Sequence, residues 1–398
     1  MEKFNTYYGV LLFFVYFLLF PLNNLLINLS IHLMPSTLPV MGVVALGLFT
    51  MLVNYKKSFE LFFNIIPLFT LFTLLTITLL ILESYVYRVV GYVPSQFLNA
   101  NNLYWILFSI GGYLFTYYLN DILTFLEESK YITLFLTSLP ILVVVILVAN
   151  FSFSEFITRA IFADDSKISF QLLSDLIAIV SFVLIAKYFY NNSILITIGV
   201  FILLELFILG SRSSIFFYLI SVILLFIKTK RFTFLFLVGS IALMVLFYFL
   251  PDIIKFYGND QRVMSLFSHN YLQDASLKER EMQLIENMKF IKVNWLTGGL
   301  YSEFKISGAG TYIHNYLSYL QNYGIVPFII INVLILKLIY NLVLFYEDEF
   351  EFRFIFMVSI FTLFSMLFSR SYMAYWILLT LAMSEAYFGY KKYENWDD

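Results

Sequence analysis

Four side chains stand where a membrane enzyme could do chemistry: Arg212, Arg280, Arg370 and His314. The run "LFILGSRSSIFFYLI" sets Arg212 between two apolar stretches, and the same Ser-Arg-Ser returns at Ser369 to Ser371. A charged group at the edge of a bilayer costs free energy unless something polar meets it. Arginine suits phosphate, because its guanidinium stays charged and presents a planar fork of donors to the oxygens. Two arginines near one membrane surface can hold the head of a lipid-linked pyrophosphate, whose lipid lies in the bilayer and whose polar cargo lies outside. A small-ion or metabolite transporter would set its charges nearer the midplane. His314, in "ISGAGTYIHNYLSYLQNYGIVPF", has an ordinary pKa of about 6.5, which suits proton transfer.

Each group also has a plainer explanation. Glu205 precedes Arg212 by seven residues and would share its helical face, so the two can form a buried ion pair. Arg280 can snorkel or pair with a local glutamate. Arg370 can be an interfacial anchor, and His314 an interfacial residue without a role. A helix starting near Tyr312 would put His314, Ser318 and Gln321 on one polar face, with Tyr316, Tyr319 and Tyr323 anchoring it at the interface. The "SGAG" before it ends the preceding loop flexibly.

The elements that must position these groups are membrane helices. Of 398 residues, 61% are hydrophobic and 13% charged, against roughly 25% charged in a soluble domain. Apolar runs of about 20 residues recur along the chain, each long enough to cross a bilayer as a helix. The expected fold is an all-α, polytopic bundle of about twelve transmembrane helices, near 8–29, 35–54, 61–82, 102–119, 132–150, 170–190, 193–210, 214–230, 232–250, 320–345, 353–369 and 373–390. The length of the tenth predicts tilt or an early interfacial helix there. Lys3, Lys56, Lys57, Lys130, Lys228, Lys230, Arg231, Arg353, Lys391 and Lys392 all fall on one side of such a bundle, which makes that side cytoplasmic and puts both termini there. The N-terminus reads as a retained first helix rather than a cleaved signal. No internal repeat is visible. With no cysteine, disulfides and cysteine-based metal or redox chemistry are excluded, and with three scattered histidines (His32, His269, His314) no histidine-rich metal site is expected.

Three regions follow: nine helices over 1–250, an external loop over 251–313, and three helices over 314–398. The loop holds seven basic and seven acidic side chains, over a quarter of the 24 basic and 26 acidic in the chain, so it is a soluble element. Two shorter external loops, 83–102 and 151–170, can help cover it. Within the long loop, 275–293 predicts an amphipathic helix with Leu277, Leu284, Met288 and Ile291 on its apolar stripe, Arg280 at the stripe's edge, and Lys278, Lys289 and Lys292 in solvent.

In their order these features resemble the O-antigen polymerase and O-antigen ligase superfamily of bacterial envelope glycosyltransferases. Ser211-Arg212 matches its Ser-Arg pair at the external end of a span. "LKEREMQLIENMKFIKVNWLTGGLY" is similar to its arginine helix and glycine turn, and "HNYLSYLQNYGIVPF" to its His-Asn stretch ending in Gly-Ile. The likeness covers about 209–328. It departs in "SRSS", which lacks the small Gly-Ala pair, and in the loose turn "GGLYSEF". The resemblance implies a metal-independent glycosyltransferase without a cofactor in the bacterial cytoplasmic membrane, with its active site on the external face. A polymerase of O-antigen or capsular repeats is preferred; a ligase acting on lipid A-core and a lipid-linked oligosaccharide flippase are the alternatives. Its partners would be undecaprenyl-pyrophosphate-linked oligosaccharides, the bilayer and a chain-length regulator protein, with no nucleic acid. Arg212, Arg280 and His314 would be catalytic and Asn315 substrate-binding. Arg370 joins them as substrate-binding through its repeated Ser-Arg-Ser, and Glu303 and Asp252 are reserve bases by location alone.

Overall fold

The computed structural model describes residues 2–20, 23, 37–90, 95–130, 136, 170–209, 211–231, 275–300, 302, 313, 315–370 and 374–394. Of these, 87% are helical and none is in a strand. The order is α1 (Glu2–Phe14, continued by a π-helical turn, Val15–Leu19), α2 (Thr37–Val53), α3 (Tyr55–Glu60, continued by a π turn, Leu61–Ile65), α4 (Pro67–Val90), α5 (Ser95–Tyr117), α6 (Leu119–Glu128), α7 (Phe170–Lys187), α8 (Asn192–Ile208), α9 (Arg212–Lys228), α10 (Ala275–Asn294), α11 (Leu317–Tyr323), α12 (Ile325–Leu344), α13 (Phe350–Phe368) and α14 (Trp376–Glu394). The predicted spans at 132–150 and 232–250 and the loop at 251–274 lie outside the described residues, apart from Leu136.

Two described helices, α12 and α13, are long and apolar enough to cross a membrane, and α2 with α3 makes a third if the pair counts as one. That pair bends by 101°. Two helix breaks lie in this part of the chain. Asn54 leaves helical geometry between α2 and α3, and Ile66 does so before Pro67 opens α4. Proline is tolerated there because the first helical N–H has no partner to lose. The segment 83–102, expected as a loop, is mostly helical: α4 runs to Val90 and α5 begins at Ser95.

α13 is buried almost all round, packed among α7, α9 and α14, while α14 also packs along α5. Its interior hydroxyls are satisfied locally or across the helix pair. The Thr362 hydroxyl lies 2.7 Å from the Val358 carbonyl, which accepts from it, and 2.8 Å from the Thr380 hydroxyl, and Ser359 meets Ser384 at 2.7 Å. Such bonds let small polar residues sit inside an apolar bundle. The buried Glu385 of α14 is met twice. It accepts the Phe69 amide from the first turn of α4 at 3.0 Å, an N–H with no partner in its own helix, and pairs with Lys337 of α12 at 2.8 Å.

Candidate functional site

The parts of the sequence that carry candidate residues fold into two polar clusters. The first joins α10 to α11. The Gln321 amide donates to Asn287 Oδ1 at 2.6 Å and to Ser302 Oγ at 2.9 Å, so both of its N–H bonds are used inside the protein. The turn after α10 closes the contact: Gly299 N–H donates to the Gln321 carbonyl at 2.9 Å, and Ile325 N–H to the Leu296 carbonyl at 3.3 Å. Gly298 (φ 70°) and Gly324 (φ 76°) sit face to face in this turn. A Cβ on Gly324 would come within 2.5 Å of the Leu296 oxygen, and one on Gly298 within 2.8 Å of the Asn322 oxygen. Only glycine supplies both the left-handed backbone and the space. Leu300 N–H donates to Glu83 at 2.6 Å, which ties the turn to α4 about two turns before its end.

The buried face of α10 differs from the predicted stripe. Ile291 is buried and Leu284 and Met288 are half-buried, but Gln283 and Asn287 lie at the centre of the face. Hydrogen bonding to α11 rotates the helix toward its amides, since a buried amide left unpaired would cost about 1–3 kcal/mol. Lys289 and Lys292 are exposed, as expected.

α11 also starts later than predicted. Helix begins at Leu317, whose N–H is accepted by the Asn315 side chain at 3.0 Å, while the Asn315 carbonyl accepts Ser318 N–H. Asn315 therefore opens the helix through a local turn, as asparagine commonly does. The helix ends at Gly324, where α12 begins, so the long tenth run is a short helix followed by a crossing-length one. Tyr319 and Tyr323 are not interfacial anchors: both are buried, Tyr319 beside Phe72 and Tyr323 beside Trp105. Tyr316 is half-buried and stacks on Phe328.

The second cluster brings the two Ser-Arg-Ser tripeptides together. Arg370, after the end of α13, grips Asp175 of α7 with both arms: Nε to Oδ2 at 2.6 Å and Nη2 to Oδ1 at 2.5 Å. Its other donors reach Ser213 and Ser369 from Nη1, at 3.0 and 2.6 Å, and Ser214 from Nη2 at 3.1 Å. Ser214 also donates to Asp175 at 2.7 Å and meets Ser211 at 2.6 Å. All five guanidinium donors are thus occupied, and both charged side chains are buried. Arg370, predicted to touch substrate or anchor at the interface, fixes the first turn of α9 instead. Asp175 was missed in the sequence, although a lone carboxylate within an apolar run is the signal that a partner awaits it.

Arg212 opens α9, and Ser211 is its N-cap residue, but the Ser211 hydroxyl meets Ser214 rather than an amide of the first turn. Glu205 and Arg212 do not share one helical face as expected, because α8 ends at Ile208 and α9 is a separate helix. Glu205 is buried, and among the described residues its carboxylate has no hydrogen-bond partner. The side chains of Arg212 and Arg280, and all of His314, Asp252 and Glu303, lie outside what the structure describes. Among the described residues no group of three or more histidine, aspartate or glutamate side chains gathers as a metal site.

In comparisons with protein-family models, with curated proteins and with solved structures, the chain matches none.

Proposed function

We propose that the chain is a membrane glycosyltransferase that polymerises O-antigen or capsular repeat units at the outer face of the bacterial cytoplasmic membrane. One observation carries this reading. The turn that follows the arginine helix, Gly298-Gly299, is packed and hydrogen-bonded onto the Gln321 to Ile325 end of the His-Asn stretch, so two parts of the family likeness separated in the chain form one unit. The first turn of α9 adds support. Its cap side chain is diverted to Ser214, and Arg212 stands at the positive end of the helix, an arrangement that suits a phosphate.

In this reading the bundle has twelve spans, both termini are cytoplasmic, and 251–313 is external. Arg212, Arg280 and His314 converge on one external cavity although they come from three segments. The acceptor sugar's hydroxyl oxygen attacks the anomeric carbon, and the bond from that carbon to undecaprenyl pyrophosphate breaks. Arg212 and Arg280 neutralise the departing diphosphate, and His314 takes the hydroxyl proton or orients the oxygen. Asn315 spends its side-chain oxygen on the turn before α11, which leaves its amide to meet sugar.

The test is extension of purified lipid-linked repeats by the protein in detergent, without a gradient. Longer lipid-linked glycans support polymerisation, and their absence with transfer to lipid A-core would establish a ligase instead. One observation favours a second reading: the buried Glu205, whose carboxylate has no hydrogen-bond partner among the described residues, is the kind of group a proton- or cation-coupled flippase uses. Gradient-dependent translocation without chain extension would select that reading.

A further inference from the structure

The outer face of α10 carries apolar side chains that no part of the described protein covers. Met282 and Ile285 are exposed, Val293 is 80% exposed, and the turn after the helix leaves Trp295 51% and Leu296 60% exposed. Positions 282, 285, 289, 293 and 296 advance by three or four residues, so they form one stripe opposite the buried Gln283, Asn287 and Ile291. Lys289 lies within the stripe and Lys292 beside it, with Glu281 and Glu286 at its margins. Isolated exposed apolar residues are ordinary; a continuous stripe marks an interaction surface.

Its position says what covers it. The Leu296 carbonyl accepts the Ile325 amide, so the stripe ends at the first residue of α12. From there Val326, Ile329, Val333 and Leu336 are exposed down one side of α12, a helix long and apolar enough to cross a membrane and only 39% buried. The two exposed apolar faces therefore come together at the same end of a crossing-length helix. A tryptophan at that level, one lysine within the stripe and another beside it match what a headgroup layer receives: an amphipathic ring, and ammonium groups that snorkel to lipid phosphates.

We propose that the outer face of α10 and the Trp295–Leu296 turn lie in the headgroup layer of the bilayer at the end of α12. Met282, Ile285, Val293 and Leu296 dip to the acyl boundary, and Lys289 and Lys292 meet lipid phosphates. The inference rests on the reading of α12 as a membrane crossing. It holds the helix carrying Arg280 level with the headgroups, where the pyrophosphate of a lipid-linked substrate lies.

The full chain is reconstituted in nanodiscs of phosphatidylcholine and phosphatidylglycerol carrying bromine near the headgroup or near the acyl terminus. The emission of Trp295 is taken as the difference between the protein and its Trp295→Phe variant. Leu336→Trp, on the Trp295→Phe background, reports from the middle of α12. The expected result is blue-shifted Trp295 emission that shallow bromine quenches at least about twofold more than deep bromine, the depth at which interfacial helices seat. Lys289→Gln with Lys292→Gln should weaken that quenching when phosphatidylglycerol is present. Trp295 emission quenched by acrylamide but not by bromolipid, with Leu336→Trp quenched by bromolipid, overturns the proposal and leaves the membrane reading intact. If neither position responds to bromolipid, both fall. Shielding of Trp295 from both quenchers means protein covers the face, a second copy being the first suspect, and also overturns the proposal. Should Trp295→Phe not fold, an environment-sensitive fluorophore on Val293→Cys gives the same comparison, since the chain has no other cysteine.

Discussion

Replacing Asp175 by alanine would strand the Arg370 guanidinium inside the bundle. The two side chains are 1% and 4% exposed, so water cannot take over the lost contact. Removing one member of a buried ion pair costs about 3–5 kcal/mol. Here the three hydroxyls of Ser213, Ser214 and Ser369 still accept from the arginine, which places the expected loss at the lower end, about 3 kcal/mol. Arg370→Lys keeps the charge but loses the fork, and should cost about 1–3 kcal/mol through the donors it cannot replace. Asp175→Leu combined with Arg370→Met removes both charges together and should recover to within about 1–2 kcal/mol of the parent, because apolar replacement of a whole buried pair is often neutral. The assay is equilibrium unfolding in mixed micelles, followed by circular dichroism. An Asp175→Ala protein that unfolds at the parent's midpoint refutes the reasoning, as does a double variant no more stable than the single one.

Gly324→Ala should destabilise the α10–α11 junction by at least about 1–2 kcal/mol, since a Cβ there faces both a left-handed backbone and the Leu296 carbonyl; faster proteolysis after α10 would register it. Gln321→Leu leaves Asn287 and Ser302 without their donor and should cost about 1–3 kcal/mol, and adding Asn287→Leu should return part of it, measured as a double-mutant cycle. Glu205→Leu should raise stability by roughly 1–3 kcal/mol, because it removes a buried carboxyl that has no partner among the described residues; a loss of stability would mean that the carboxyl is engaged after all. Arg212→Lys and Arg280→Lys should each remove most chain extension at unchanged expression, since a point charge replaces a bidentate fork, and full-length product from either variant would exclude that arginine from the chemistry.

The all-helical fold was legible in the amino-acid sequence because apolar content acts residue by residue: long apolar runs with few charges can satisfy their backbone only as helices in lipid. The same local logic located the helix expected over 275–293, where α10 runs from Ala275 to Asn294, and an early helix at the start of the tenth run, where Gly324 divides α11 from α12. A break inside an apolar run was hidden, because the interruption at Ile66, within the run expected over 61–82, changes backbone direction without changing hydropathy. The bend after Val53, by contrast, falls where a span was already expected to end. Partnerships were hidden for a different reason. Arg370 and Asp175 stand 195 positions apart, so the sequence could announce that each needed a partner but not that they were one another's. The same holds for Glu385, which answers both Lys337 and the Phe69 amide. Which face of α10 turns inward was likewise decided by tertiary structure. Its apolar residues alone favour another rotation, and the amide of Asn287 is buried where Gln321, supplied by a different helix, gives it a hydrogen-bond partner.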